Sequence, residues 1–64
     1  MDPDLLESYR NEVKGLRWAR GVKGAADWLK GQGFTDVTFE EHSQTAATIT
    51  ARKDNAEFTF DCSR

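Results

Sequence analysis

The spacing of apolar residues changes once along the chain, at the tetrad Gly31-Gln32-Gly33-Phe34. Before it they recur at three- and four-residue intervals, as in an amphipathic helix, and after it they alternate with polar residues, as in strands. The alternating positions are Val37/Phe39, Ala47/Ile49/Ala51 and Phe58/Phe60/Cys62. The pattern predicts an α+β fold in which helical residues of about 3–32 pack on one face of a three-stranded antiparallel meander. The predicted strands are 35–42, 46–53 and 56–63, in the order 1-2-3.

The helical region contains two apolar stripes. The first comprises Leu5, Leu6, Tyr9, Val13 and Leu16, and the second comprises Trp18, Ala19, Val22, Ala25, Ala26 and Leu29. On one straight helix the stripes point about 150° apart. Either the helix breaks near Lys14-Gly15 and both stripes face one core, or a single helix continues and its N-terminal stripe meets a partner. The break is the favoured alternative, since Gly15 permits it.

The ends of the helical region have clear signals. Asp2 suits the N-cap position and Pro3 the first helical position. At the other end, Gly33 suits the left-handed residue of a Schellman motif, which would bring Phe34 against Leu29. The sequence therefore predicts a helix that begins after Asp2 and ends before Gly33.

The strand register follows from the two turns. A two-residue turn at Asp54-Asn55 keeps the apolar and polar faces distinct. A three-residue loop at 43–45 does the same for the first hairpin, where a two-residue loop would turn apolar residues to the wrong face. The predicted pairs are Arg52/Glu57, Thr50/Thr59, Ile49/Phe60, Ala51/Phe58, Phe39/Ile49, Val37/Ala51 and Asp36/Arg52. The small residues Ala47 and Ala51 are expected to leave room for a helix that carries Trp18 across the buried face.

The length of 64 residues fits one domain. We expect a single α+β domain over residues 1–64, with a free energy of unfolding of about 3–5 kcal/mol. The net charge of −2 is unevenly distributed, since residues 1–9 have a net charge of −3, residues 10–30 one of +4 and residues 31–64 one of −3. One cysteine excludes an internal disulfide, and no apolar run is long enough to span a membrane. These features predict a cytoplasmic protein without membrane contact.

The residues best suited to catalysis are His42 and Cys62, each the only one of its type. His42 follows Glu40 and Glu41, and its titration range suits general acid–base chemistry. However, the sequence supplies no partner for it beyond surface carboxylates. Cys62 alternates onto the buried face, where a small core residue is expected, and one Cys with one His does not form a metal-ligand set. We therefore expect no enzyme, no cofactor and no metal site.

Two resemblances bear on function. The segment Gly21-Val22-Lys23-Gly24 resembles the G-x-x-G loop with which KH domains hold RNA phosphates, although Asp27 stands where an apolar residue is usual. A helix followed by a three-stranded meander resembles the start of a double-stranded-RNA-binding domain. Ribonuclease toxins of toxin–antitoxin modules share that topology and use a strand histidine. The second resemblance implies, as one alternative, a small ribonuclease centred on His42.

The basic helical layer and Trp28 are the candidate binding features. Trp28 lies about 100° off its apolar stripe, either covering the flank of the core or serving as an interface anchor. The predicted partner-binding residues are Tyr9, Arg10, Lys14, Arg17 and Trp28. A nucleic-acid-binding alternative uses Arg10, Lys14, Arg17, Arg20, Lys23 and Lys30.

The predicted function is that of a non-catalytic binding protein. It would act on a larger protein or on its own copy, and the open sheet edges could support a homodimer. Short chains without a cofactor motif are typical of regulators and inhibitors encoded by phages and mobile elements. We therefore expect a regulator or inhibitor of that type.

Overall fold

The structure, a computed structural model, describes residues 2–62. It comprises helix α1 (Pro3–Gly31) and strands β1 (Thr35–Glu41), β2 (Ala47–Lys53) and β3 (Ala56–Asp61). The strands form one antiparallel sheet in the order β1-β2-β3, and α1 packs against it. The α+β architecture and the strand order predicted from the sequence are therefore confirmed. Residue 63, predicted to end the third strand, lies outside the described residues.

Both ends of α1 are capped as predicted. The Asp2 carboxylate accepts a hydrogen bond from the Asp4 backbone N–H at 3.0 Å, and Pro3 is the first helical residue. At the C-terminal end, Gly33 has a φ of 94° and the Phe34 N–H donates to the Leu29 carbonyl at 3.2 Å. The Gly33 N–H donates to the Lys30 carbonyl, which completes a Schellman motif. These caps fix where the chain leaves the helix and enters β1.

The helical region is interrupted at Gly21, not near Lys14-Gly15 as predicted. Gly21 has φ 82° and ψ 169°, whereas the rest of α1 is helical. A straight helix of 29 residues would be about 43 Å long, but the longest dimension of the molecule is 31 Å. The rings of Tyr9 and Trp28 lie 5.8 Å apart. Segments 3–20 and 22–31 therefore fold back on each other, and this sharp reversal needs a positive φ that glycine adopts most readily.

The fold-back brings both apolar stripes to one core, which was the consequence expected of a break. Val13 comes from the first segment and Leu29 from the second, and both pack with Ile49 and Phe60 of the sheet. Trp18 does not cross the buried face as expected, since 39% of it is exposed. The reversal at Gly21 directs the start of the second stripe away from the core. Val22, Ala25, Ala26 and Leu29 supply the buried surface instead.

The register of the sheet agrees with the prediction except at the start of β1. All four predicted β2–β3 pairs are present, as is the Phe39/Ile49 pair. Asp54 and Asn55 both have positive φ, as the two-residue turn requires. The pair Asp36/Arg52 is wrong, because Thr35 lies opposite Arg52, and the pair Val37/Ala51 falls in the irregular stretch where the register shifts between Thr35 and Thr38. The extra residue forms a bulge at Asp36, which has a φ of 51°.

Phe39 is less buried than its alternation predicts. It lies opposite the fully buried Ile49 and hence on the helix-facing side of the sheet, yet 46% of it is exposed. Val37 and Phe58, on the same face, are half-buried against the core. The helical layer therefore covers β2 completely but leaves the end of the edge strand β1 open.

Candidate partner-binding surface

Two of the predicted contact residues, on the first helical segment, form hydrogen bonds within the chain itself. The Arg10 guanidinium donates to the Thr59 carbonyl at 3.0 Å, and its Cζ lies 5.8 Å from the centre of the Phe60 ring. Arg17 donates to the Gln44 carbonyl at 3.3 Å and stacks on Trp18 at 4.7 Å. Arg10 thus joins the helical layer to β3, and Arg17 joins it to the loop between β1 and β2. Their predicted role toward a partner stays a prediction.

The remaining basic residues lie on exposed helical surface. Lys23 and Lys30 each approach the carboxylate of Asp27 at 3.8 Å, and Lys14 and Arg20 are exposed. Such exposed pairs contribute little to stability, typically below about 1 kcal/mol, but they reduce the positive charge offered to phosphates. The G-x-x-G segment begins at Gly21, where the helical region reverses, so the need for a glycine at position 21 is explained by the fold.

Tyr9 and Trp28 belong to an aromatic cluster around Lys53. The Tyr9 ring contacts Trp28 at 5.8 Å and Phe34 at 5.2 Å, both edge to face. The Lys53 ammonium donates to the Tyr9 hydroxyl at 3.3 Å and to the Gln32 carbonyl at 2.9 Å. It also lies 5.3 Å and 5.2 Å from the Tyr9 and Phe34 ring centres. The geometry gives Trp28 a place on the flank of the core.

Sequence reasoning overlooked Lys53, although a signal for it was present. In β2 the helix-facing residues are Ala47, Ile49 and Ala51, and the same alternation places position 53 on that face. A lysine there can remain only where its ammonium finds acceptors, and the C-terminal carbonyls of a helix supply one. Lys53 therefore fastens the end of α1 to the β2–β3 turn.

His42 lies at the end of β1 and is exposed. Its Nε2 is 3.0 Å from the Thr48 hydroxyl on the neighbouring strand. Within residues 2–62, no three His, Cys, Asp or Glu side chains are grouped so that they could hold a metal ion. The contact with Thr48 is the hydrogen bond that the structure gives His42, and the ribonuclease alternative stays a prediction.

Cys62 is fully buried, as the alternation predicted, and its Sγ contacts the Phe60 carbonyl at 3.8 Å. Burial is the main cause that raises the pKa of this thiol, and Asp61 raises it further. The cations Arg17 and Lys14 oppose this effect without reversing it. The thiol is thus neutral at pH 7 in the folded protein and poorly reactive.

A pH-dependent loss of stability follows from this pKa. The unfolded thiol ionises near its ordinary pKa of 9.0, while the folded one remains protonated. Because the folded state then binds more protons, its free energy of unfolding falls as pH rises above that value. We expect chemical denaturation at pH 7 and pH 10 to show this decrease, and a Cys62→Ala variant to show less of it. An equal decrease in both proteins would assign the effect to other groups.

The outer edge of β3 is partly covered. The Cys62 N–H donates to the Ala47 carbonyl at 2.9 Å. By the alternation of an antiparallel ladder, the backbone groups of Phe58 and Phe60 face β2 and those of Thr59 face outward. The outward carbonyl of Thr59 is the acceptor of Arg10. This edge is therefore occupied in part by the first helical segment.

The outer edge of β1 is open. The His42 N–H donates to the Ala46 carbonyl at 3.0 Å, so the backbone groups of Thr38 and Glu40 face β2 and those of Phe39 and Glu41 face outward. Within residues 2–62, no hydrogen bond to these outward groups is present. We call Phe39, Glu40 and Glu41, with their outward backbone groups, the β1-edge surface. A concavity of about 240 Å³ adjoins it, lined by Thr38, Phe39, Glu40, Thr48 and Thr50.

Sequence reasoning named the open edge strands but not Phe39, which was assigned to the core. The signal that could have found it was its position near the end of an edge strand, where the helical layer has the least reach.

Comparison of the chain with family models, curated proteins and solved structures found no match. Within residues 2–62, α1 is not apolar enough along its length to cross a bilayer.

Proposed function

We propose that this chain is a non-catalytic binding protein that regulates or inhibits a larger protein by occupying a surface on it. The observation that carries the proposal is the half-exposed Phe39 on an open edge strand. Open edges with apolar side chains favour pairing with another chain, and folds usually cover or interrupt them. Here the β3 edge is partly covered by Arg10 while the far end of β1 is left open.

The chemistry of the remaining surface supports binding over catalysis. Cys62 is buried with a raised pKa, so it is not poised as a nucleophile, and the hydrogen-bond partner of His42 is the hydroxyl of Thr48 on the neighbouring strand. The nucleic-acid alternative has less support, because Arg10 and Arg17 are bound to backbone carbonyls and Asp27 lies between two of the lysines.

The test uses Phe39→Ser with Leu5→Ser as the matched control. Both residues are similarly exposed, at 46% and 45%, but Leu5 lies in the first turn of α1 and not on β1. We expect the tagged wild-type chain and Leu5→Ser to capture the same protein from cells that encode it, and Phe39→Ser to lose that protein. The captured protein is then purified, and its affinity for each variant is measured. An affinity unchanged by Phe39→Ser would contradict the proposal.

Self-association is examined in the same experiment. Sedimentation of the purified chain over a range of concentrations separates a monomer from a homodimer. A dimer that dissociates in Phe39→Ser but not in Leu5→Ser would show that the surface binds a second copy. A monomer that binds the purified larger protein supports the proposal as stated.

A further inference from the structure

We propose that the β1-edge surface binds an extended, basic segment of a partner protein, which adds to the sheet as a fourth strand beside β1. This inference rests on the proposed function and names the chemistry of the partner. Three features of β1 support it: the outward direction of the backbone groups of Phe39 and Glu41, the negative charge of the strand, and the exposure of the Phe39 side chain.

The outward backbone groups of β1 define a short docking site. Phe39 and Glu41 each present one N–H and one C=O outward, so an incoming strand can form four hydrogen bonds with them. The bulge at Asp36 disturbs the strand immediately before this site, and the loop at Ser43 ends it. The site therefore accepts only a few residues of a partner, as in recognition of a peptide by strand addition.

The charge of β1 selects against a second copy. The strand contains Asp36, Glu40 and Glu41 and no basic residue. Pairing of two copies through this edge would bring six carboxylates together, and like charges across a strand pair are destabilising. Within residues 2–62, Glu40 and Glu41 form no ion pair. A segment bearing Lys or Arg would supply the missing opposite charge.

The alternation of side chains gives the pattern of the segment. A partner residue opposite Phe39 projects to the helix-facing side, where an apolar side chain can cover the exposed ring. Residues opposite Glu40 and Glu41 would be basic, and the one opposite Glu40 would project to the side of the concavity that Thr38, Thr48 and Thr50 line. The expected segment thus reads basic-basic-apolar when it runs antiparallel to β1, and apolar-basic-basic when parallel.

The experiment begins with a phage-displayed library of random decapeptides, selected against the purified full chain. We expect the selected peptides to share two adjacent basic residues beside an apolar one. The strongest binder is then added to ¹⁵N-labelled protein, and amide hydrogen exchange is measured residue by residue. Exchange at Phe39 and Glu41 should slow by about 10-fold or more, while Thr38 and Glu40, already bonded to β2, should change little.

The charge contribution is measured with Glu40→Lys/Glu41→Lys. The matched control is Glu7→Lys/Glu12→Lys, which changes the net charge equally at exposed positions of α1. We expect Glu40→Lys/Glu41→Lys to weaken binding of the peptide about 10-fold, which is the size expected when two exposed charge pairs are reversed. The control should change the affinity for the peptide little. Equal weakening by both pairs would show a general charge effect and overturn the assignment.

The outcomes separate this inference from the proposed function. Selection of no peptide, of acidic or uncharged peptides, or of peptides that protect Thr59 in place of Phe39 would overturn the inference. If Phe39→Ser nevertheless abolishes binding of the purified partner protein, the proposed function stands and only the strand-addition mode fails. If the partner binds Phe39→Ser normally, both fail.

Discussion

Replacing Ile49 with Asp is expected to unfold the domain, whereas replacing Thr50 with Asp leaves it folded. Ile49 is fully buried on the central strand, between Phe39 and Phe60 on its neighbours. A carboxylate there would lie in a core in which, over residues 2–62, no polar or charged residue is buried. The expected cost of more than about 4 kcal/mol is comparable to or larger than the total stability of about 3–5 kcal/mol expected of a domain of this size.

Thr50 is the control because it follows Ile49 directly and faces the opposite side of the sheet. It pairs with Thr38 and Thr59 on the polar outer face, where an aspartate remains in contact with water. Circular dichroism and the dispersion of amide resonances report folding in both variants. If both variants fold, Ile49 is not at the centre of the core and the register of β2 is wrong.

The parts of the fold that could be predicted depend on local chemistry. The Asp2 cap, the Gly33 turn and the Asp54-Asn55 turn each need a residue type that the sequence supplies at one position. The apolar alternation then fixes which face of β2 and β3 is buried. For these elements the local preference and the tertiary packing agree, so the sequence was sufficient.

The elements that sequence reasoning missed depend on how the layers pack. The bulge at Asp36 shifts the register at the start of β1, and no residue pattern marks it in advance. Phe39 carries the same alternation signal as Phe60, yet only Phe60 lies beneath the helical layer. Its exposure follows from how far two short helical segments extend across three strands. The candidate site was therefore visible only once the layers were assembled.

The open β1 edge also explains how an acidic sheet remains compatible with binding. Charged residues on an edge strand discourage pairing between identical copies. On β1 the acids lie on both sides of Phe39, so the same carboxylates that oppose self-pairing would favour the basic partner that we propose. Protection against aggregation and selectivity for a partner would then use the same residues.

The reversal at Gly21 leads to the second large expected effect. Gly21→Ala should destabilise the domain by about 1–3 kcal/mol, because alanine is strained at a φ of 82° with a ψ of 169°. A Cβ at this position would meet nothing within 4 Å, so a crowded neighbour cannot cause the loss. The variant can relieve the strain only by becoming helical at this residue, and a straight α1 would separate Tyr9 from Trp28.

Gly15→Ala is the matched control and should have the opposite sign. Gly15 is helical, a Cβ there also meets nothing within 4 Å, and alanine stabilises a helix interior by about 1 kcal/mol relative to glycine. Chemical denaturation of the two variants measures both changes, and sedimentation detects dimers formed by exchange of a straightened first segment. Because a Cβ meets no neighbour at either position, comparing the two Gly→Ala variants distinguishes a break at Gly21 from one at Gly15. If Gly15→Ala is the more damaging, the helix reverses where the sequence alone suggested.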